Sequence, residues 1–448
     1  MARNIWIFLI LFLFVAVQVP GLSHVDNSDE NVYFYMSSLV AHGELPYRDF
    51  FYAHPPLELF VGALVFLLFG FNLVLLKLVP LAATAVSGFL VYKIASEYFG
   101  ELAAVFSAVL FLFSYRVAFE ATYFMGLNLA IMFLLLGFYF MSRKPHLSGL
   151  FFALAAATRL LVIIPVIILL AFMLSKNLRR FLYCSAVFAA VFLLMNAAFF
   201  MLSRSFFVSV YKFHLLKPAV ESVSFQLLVE FISQNFLLWL GLLLAFVYWN
   251  KKLALFSLIS AACIIFILAL ARPFNFYFLV AMPFMSIMAG VAADVFAKKL
   301  NYNKWVVVAI FSILVLSGAY VVTALWQGFD KFDAAYQMSD FVRQNSMESD
   351  LMFGDVNSVP LVALMSGRKI MNDIVDTNEM VYLSGVRSLD QELTLISSSR
   401  PKFVIIRPLY GIGSLKQTQN FLESNCLFVR DFKDPGWSDF LLYDCSQA

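Results

Sequence analysis

Charge is scarce in this chain. Only 13% of its 448 residues are Asp, Glu, Lys or Arg, against about 25% in a typical soluble domain. Hydrophobic residues make up 62%, and mean hydropathy is +0.86. A soluble fold of this size cannot hide that much apolar surface, so a purely cytosolic enzyme is excluded. Disorder is excluded as well, because disordered chains are poor in aromatics and this one has 52 phenylalanines. No basic tract points to nucleic acid. No Asn-x-Ser/Thr acceptor site is present, which fits a prokaryotic chain. No internal repeat of solenoid or transporter type is evident. What remains is a polytopic α-helical membrane protein.

The few charges are unevenly placed. Residues 1–324 hold 20 Lys and Arg against 12 Asp and Glu, whereas residues 325–448 hold 11 against 16. The net +3 therefore joins a basic membrane part, 1–325, to an acidic tail, 326–448. Apolar runs near bilayer-spanning length fall at 4–22, 73–95, 101–116, 122–142, 181–202, 234–249, 253–271, 275–296 and 304–325. The first resembles a signal peptide but is too long for an apolar signal core and has no small-x-small cleavage site, so it reads as a retained helix. The run 147–174 is interrupted at Thr158-Arg159. An arginine in mid-membrane is costly, so two helices meeting near one face explain that run better than one. The total is about eleven transmembrane helices. The short run 56–70 begins at Pro55-Pro56, ends at Gly70 and reads as an interfacial helix.

With the N-terminus cytoplasmic, Arg3, Lys93, Arg143, Lys144, Lys176, Arg179, Arg180, Lys251, Lys252, Lys298, Lys299 and Lys304 all lie inside, as the positive-inside bias requires. Only three acids, Glu97, Glu101 and Asp294, lie with them. This topology makes the tail an extracytoplasmic soluble α/β domain. Within it FVRQN fits a helix end, SDLMFGD and PKFVIIRP fit strands, and LFVRDF with DFLLYDC fits a closing hairpin. Cys184 and Cys263 fall inside spans as packing residues. Cys426 and Cys445 fall one on each closing strand, where an oxidising compartment permits a disulfide.

Half of the membrane part's acids, six of 12, lie between residues 26 and 58: Asp26, Asp29, Glu30, Glu44, Asp49 and Glu58. Three of five histidines, His24, His42 and His54, lie there too. This first outer loop, 23–72, is also rich in aromatics. Residues 30–42 have helical period, with Tyr33, Met36 and Val40 on one stripe, which predicts a helix lying on the membrane surface. Ser28 is its expected cap, with Asp29-Glu30 at its head.

The loop resembles a known family in the order of its pieces. Asp29-Glu30 stand before Tyr33, then come a helix ending at Gly43, Pro46-Tyr47, an acidic residue at Asp49, and His54-Pro55-Pro56-Leu57. Similar loops occur in GT-C glycosyltransferases related to protein O-mannosyltransferases and to the aminoarabinose transferase that modifies lipid A. The likeness extends over about residues 1–300 and takes in Thr158-Arg159 and Tyr277-Phe278-Leu279…Pro283 behind Arg272. It implies transfer of a sugar from a polyprenyl-phosphate donor to a glycan, lipid or protein acceptor on the outer face. Asp29 would be the catalytic base and Glu30 its neighbour. Arg159, Arg272 and Tyr277 would receive the donor phosphate, with Arg116 and Lys77 as further candidate cations. Tyr33, Asp49, His54 and Glu58 would line the pocket. No cofactor is required by the resemblance. Some relatives bind a divalent metal in this loop, and His54 with Glu58 would be its ligands here, although such pairs also occur as plain hydrogen bonds.

One departure stands out. Relatives carry an aspartate at the outer start of the fourth span, where this chain has Gly126-Leu127-Asn128 with Glu120 nearby but offset. A single main carboxylate fits an inverting transferase better than a two-carboxylate retaining one. The alternative from another class is a transporter or flippase of lipid-linked sugars. Transporters gather ionisable residues near the bilayer midplane, whereas the acids here gather in one outer loop.

Overall fold

The computed structural model describes residues 5–218, 223–299, 304–328, 332–434 and 438–447. Arg3 and the residues 300–303 of one inner loop fall outside the described residues. The chain divides into two compact units, residues 1–23, 77–196 and 220–328 in one and residues 24–76, 197–219 and 329–448 in the other.

The first unit is helical. Among the described residues four helices, Ile5–Ser23, Leu73–Phe99, Leu178–Leu202 and Lys251–Leu268, are long and apolar enough to cross a membrane, the second and third running on into the other unit. Ser224–Gln234 and Phe236–Val247 form a fifth only if counted together across a 90° bend. Every run read as a span contains helix, but several are cut short. Gly100, with φ +96°, separates Leu73–Phe99 from Glu101–Leu112. The helices pack through small residues, the usual device where lipid supplies no hydrophobic drive. A Cβ at Gly290, on helix Met282–Lys299, would meet Ser107 and the Ala103 carbonyl of helix Glu101–Leu112. The arginine-interrupted run is two helices, Pro145–Ala156 and Ile163–Lys176. They are joined by Thr158-Arg159 and a short 3-10 turn at Leu160–Val162.

The second unit is built on a five-stranded sheet, β1 (Leu351–Gly354), β2 (Lys369–Ile370), β3 (Phe403–Ile406), β4 (Leu427–Phe432) and β5 (Phe440–Asp444), in the order β2-β1-β3-β5-β4. β2 and β3 flank β1 in parallel, and β5 and β4 continue antiparallel as the closing hairpin. Cys426 and Cys445 are bridged across that hairpin, with Cα atoms 4.5 Å apart. The core is apolar, with Phe353, Val404, Ile406, Leu422 and Ile396 fully buried. Because β1 connects to β2 on one side while β3 pairs on the other, the strand order reverses at β1 and β3, the kind of switch point where open α/β sheets place their sites.

The first outer loop belongs to this same unit. By packing, therefore, it joins the tail, a grouping that the charge-based boundary at 325/326 does not express. The loop helix, Glu30–Ala41, is also not a surface helix. Residues 30 to 39 are buried on every side. It packs against the helix Leu57–Phe69 and against the helix Val359–Ser366 that follows β1. Helix Leu57–Phe69 has 13 residues. It exposes Phe60, Leu64, Leu67, Leu68 and Phe69 while Glu58, Leu59, Gly62, Ala63 and Phe66 are buried.

Candidate active site

The head of the loop helix is fixed by local hydrogen bonds. Asp29, not Ser28, takes the cap position, and its side chain makes no capping hydrogen bond. Ser28 contributes only its carbonyl, which accepts from the Asn31 amide. Asp29 is exposed, whereas its neighbour Glu30 is buried. The rival carboxylate Asp26 is buried and accepts the Asn27 amide at 2.7 Å. Its carbonyl accepts from Asn31 Nδ2 at 2.8 Å, so this residue is turn structure.

Two bonds from the C-terminal segment hold the helix. Asn31 Nδ2 donates to the Asn357 carbonyl at 2.9 Å, and Tyr35 Oη accepts from the Ile370 amide at 2.8 Å. Burial pushes the Tyr35 phenol up to about 12, so it stays neutral through the physiological range.

Further along the loop the aromatic rings gather. Tyr33 meets Tyr52 edge-on with centroids 5.9 Å apart, and both meet the His54 ring. Tyr52 Oη donates to Glu58 Oε2 at 3.1 Å. His54 stacks on His214 at 5.3 Å, and His214 Nε2 lies 2.7 Å from the Ala53 carbonyl. Tyr47, at φ +70°, sends its hydroxyl to the His54 carbonyl at 2.6 Å. Asp49 is part of the turn that makes this possible. It accepts the Leu45 amide at 2.7 Å and a two-pronged bond from Arg48. The Arg48 guanidinium holds its carboxyl down at about 2, while the adjoining Glu44, hydrogen-bonded to it, is raised.

Tyr33, Tyr52, His54, Glu58 and His214 thus form one cluster, and Asp49 braces its entry. His54 is engaged by ring stacking and Glu58 by Tyr52. Among the described residues no three His, Cys, Asp or Glu side chains gather as a metal-holding group.

The cations of the helical unit are placed as follows. The Arg159 guanidinium donates from Nε to the Met125 carbonyl at 2.7 Å and also from Nη2. The turn that follows Arg159 packs against the 3-10 turn Asn275–Val280, which carries Tyr277 behind a half-buried Arg272. Arg116 is engaged by Glu120 at 3.2 Å, Gln234 at 2.8 Å and Glu230 at 3.7 Å. Glu120, the offset acid near the fourth span, is therefore the partner of an arginine. Lys77 is fully buried, with Nζ 5.1 Å from the Tyr123 ring centroid.

Sequence reasoning missed His214 of the second unit, in the HLLKP stretch of a later outer loop, where a histidine and a lysine one helical turn apart were the available signal.

Residues 53–203 match the family described as dolichyl-phosphate-mannose-protein mannosyltransferase. The structure is similar to that of ArnT from Cupriavidus metallidurans bound to undecaprenyl phosphate, with TM-score 0.70 and 16% identity, covering 98% of each chain. It is also similar to the apo state of ArnT, with TM-score 0.72 and 16% identity, over 100% of this chain and 99% of that one. No curated protein sequence matches significantly.

Proposed function

We propose that the protein moves a sugar from a polyprenyl-phosphate donor to an acceptor on the extracytoplasmic face of the membrane, with inversion, using Asp29 as base. The observation that carries this reading is the ArnT-like fold along essentially the whole chain, with Asp29 exposed at the head of a firmly held helix. ArnT is described with undecaprenyl phosphate bound, which supports a polyprenyl-phosphate lipid here.

The chemistry follows from the bond that breaks. Asp29 removes the proton of the acceptor hydroxyl, and the oxygen attacks the anomeric carbon from the face opposite the phosphate. The bond between that carbon and the phosphate oxygen breaks, and the electron pair leaves with the lipid phosphate. Positive charge from Arg159 and Arg272, with a hydrogen bond from Tyr277, stabilises the departing phosphate. The aromatic wall of Tyr33, Tyr52 and His54 offers stacking surface for a sugar ring. A divalent metal held in the first outer loop by His54 and Glu58 would add to that positive charge.

The test uses purified full-length protein in lipid nanodiscs. Undecaprenyl-phosphate mannose, glucose and arabinose, each labelled in the sugar, are supplied with a membrane extract as acceptor source. Label appearing in a new lipid, glycan or protein product supports the proposal. Donor crossing the bilayer of a proteoliposome with no transfer would establish the flippase reading instead.

A further inference from the structure

The 90° bend between the helices Ser224–Gln234 and Phe236–Val247 leaves a gap in the helical unit. The gap is a partly open cavity of about 160 Å³. Its other walls come from helix Glu101–Leu112 with the residues just after it, and from helix Lys304–Gly328. Leu110, Phe113, Leu238 and Leu314 make much of the lining apolar. Gly318 lines it as well, and a Cβ there would meet Phe113, so the close approach of two segments shapes one wall.

The polar residues of the lining are already engaged with protein. Ser114, Ser233 and Ser317 donate their hydroxyls to the nearby carbonyls of Phe111, Glu230 and Leu314, at 2.9, 2.9 and 3.0 Å. Asn235, at the bend, accepts the Arg116 amide at 3.3 Å and donates to the Phe231 carbonyl at 2.9 Å. Gln234 accepts from Arg116 Nη2 and donates to Glu230, each at 2.8 Å. A buried water makes about three hydrogen bonds, and this wall has few to give. Apolar cavities of about 150 Å³ stay dry and take up hydrocarbon instead.

The surroundings of the opening say which hydrocarbon. Phe236 and Leu237 line the cavity and are also exposed, as are Leu316 and Tyr320 beside Ser317 and Val321. Exposed apolar side chains along helices of this composition face the bilayer, so the cavity opens toward lipid. Beside it one cation, Arg116, is engaged by two carboxyls, Glu120 and Glu230. That balance opposes a chain that ends directly in a phosphate, as a polyprenyl phosphate does. It tolerates an acyl chain, whose phosphate lies beyond its ester. The geometry points to a binding site for one acyl chain of a membrane phospholipid, wedged into the bend between the two half-helices. This site stands apart from the transferase reading and does not depend on it. The effect of the chain is to prop the bend. Phe231, on the first half-helix, stacks on Phe278 at 4.4 Å, so the 3-10 turn Asn275–Val280 is braced through the same helix.

The test uses the full-length protein in nanodiscs of palmitoyl-oleoyl phosphatidylethanolamine, doped with the same lipid carrying a diazirine on its acyl chain. Photolabelled residues are mapped by peptide mass spectrometry. The expected result is label concentrated in the segments 109–115, 233–238 and 314–321. It should exceed the label at Leu193 and Leu194, which are exposed on another apolar helix. Ser317→Phe fills the cavity and should lower label in 109–115 and 233–238 about tenfold, the effect of excluding about two methylenes from burial. Leu194→Phe should leave those segments unchanged. Leu314→Phe is a second filling variant, which carries the test where Ser317→Phe does not fold. Label spread evenly over the lipid-exposed residues overturns the site, and so does label in the cavity segments that neither filling variant lowers. Undecaprenyl phosphate, added in the same amount as the doped lipid, should leave the label in place. Loss of label to it would give the cavity to a polyprenyl chain and overturn the phospholipid assignment.

Discussion

The ion pair between Arg407 and Asp355 is the place where the fold of the C-terminal domain can be tested against its function. Arg407 Nε donates to Asp355 Oδ2 at 2.8 Å, with 2% and 0% of the two side chains exposed. Removing one partner of a buried pair leaves an uncompensated charge and typically costs about 3–5 kcal/mol. Two features set where in that range each variant falls. In Arg407→Met the Asp355 carboxylate keeps three bonds to Oδ1, from the Asn357 amide, the Ser358 amide and the Ser358 hydroxyl, so about 3 kcal/mol is expected. In Asp355→Asn the Arg407 guanidinium keeps the ring faces of Tyr410 at 4.4 Å and Phe440 at 5.7 Å. That partly compensates the stranded cation, by about 1–2 kcal/mol.

The double variant should be less destabilised than the sum of the singles, because it buries no unpaired charge. Pulse proteolysis of the full-length protein across a urea series, read through a C-terminal tag, measures the cost. Activity should fall along with stability, because Asp355 organises the turn whose Asn357 carbonyl holds Asn31 and hence Asp29. Single variants that each cost less than about 1 kcal/mol, or an additive double variant, would refute the pair's role as an organising contact.

Asp29→Asn should retain folding and donor binding but lose about 10²–10⁴-fold in turnover; wild-type turnover would rule Asp29 out as the base. Arg159→Gln and Arg272→Gln should each weaken donor binding or slow phosphate departure by about 1.5–3 kcal/mol, read as donor affinity and single-turnover rate. Arg159→Gln also loses the bond to the Met125 carbonyl, so its thermal stability must be measured alongside, and unchanged affinity and rate would leave both arginines as anchors. For topology, single cysteines at the exposed positions Ser175 and Ser398 distinguish the two faces. A membrane-impermeant thiol reagent should label intact cells at 398 and not at 175, and the reverse pattern would refute the proposed orientation and with it the site.

Much of the architecture was legible because it obeys short-range rules. A lone arginine cannot stay in lipid, so the break at Thr158-Arg159 announced two helices, and two helices are present. Short apolar runs bounded by turn residues announced β1, β3 and the closing hairpin, and the cysteines on that hairpin are bridged. The two-residue strand β2 was not legible, since it carries no period of its own and exists only as an edge partner of β1. Within the site, Asp29 was findable because its neighbours come in a recognisable order along the chain. His214 was not, because its significance depends on which residues, far away in sequence, stand opposite it.

The loop helix shows the division most clearly. Its residues alone determined that a helix begins beside Asp29 and ends near Gly43, and that it carries an apolar stripe. A stripe can face lipid headgroups or another protein surface equally well, and the sequence does not say which. The tertiary structure decided the matter, through Asn31 on the Asn357 carbonyl and Tyr35 on the Ile370 amide. Those bonds join residues more than 300 positions apart. The composition of the chain likewise determined a membrane protein, because hydrophobic free energy sums over residues wherever they lie. Which residues hold the head of that helix is a matter of contacts between segments distant in sequence, and only the folded chain sets them.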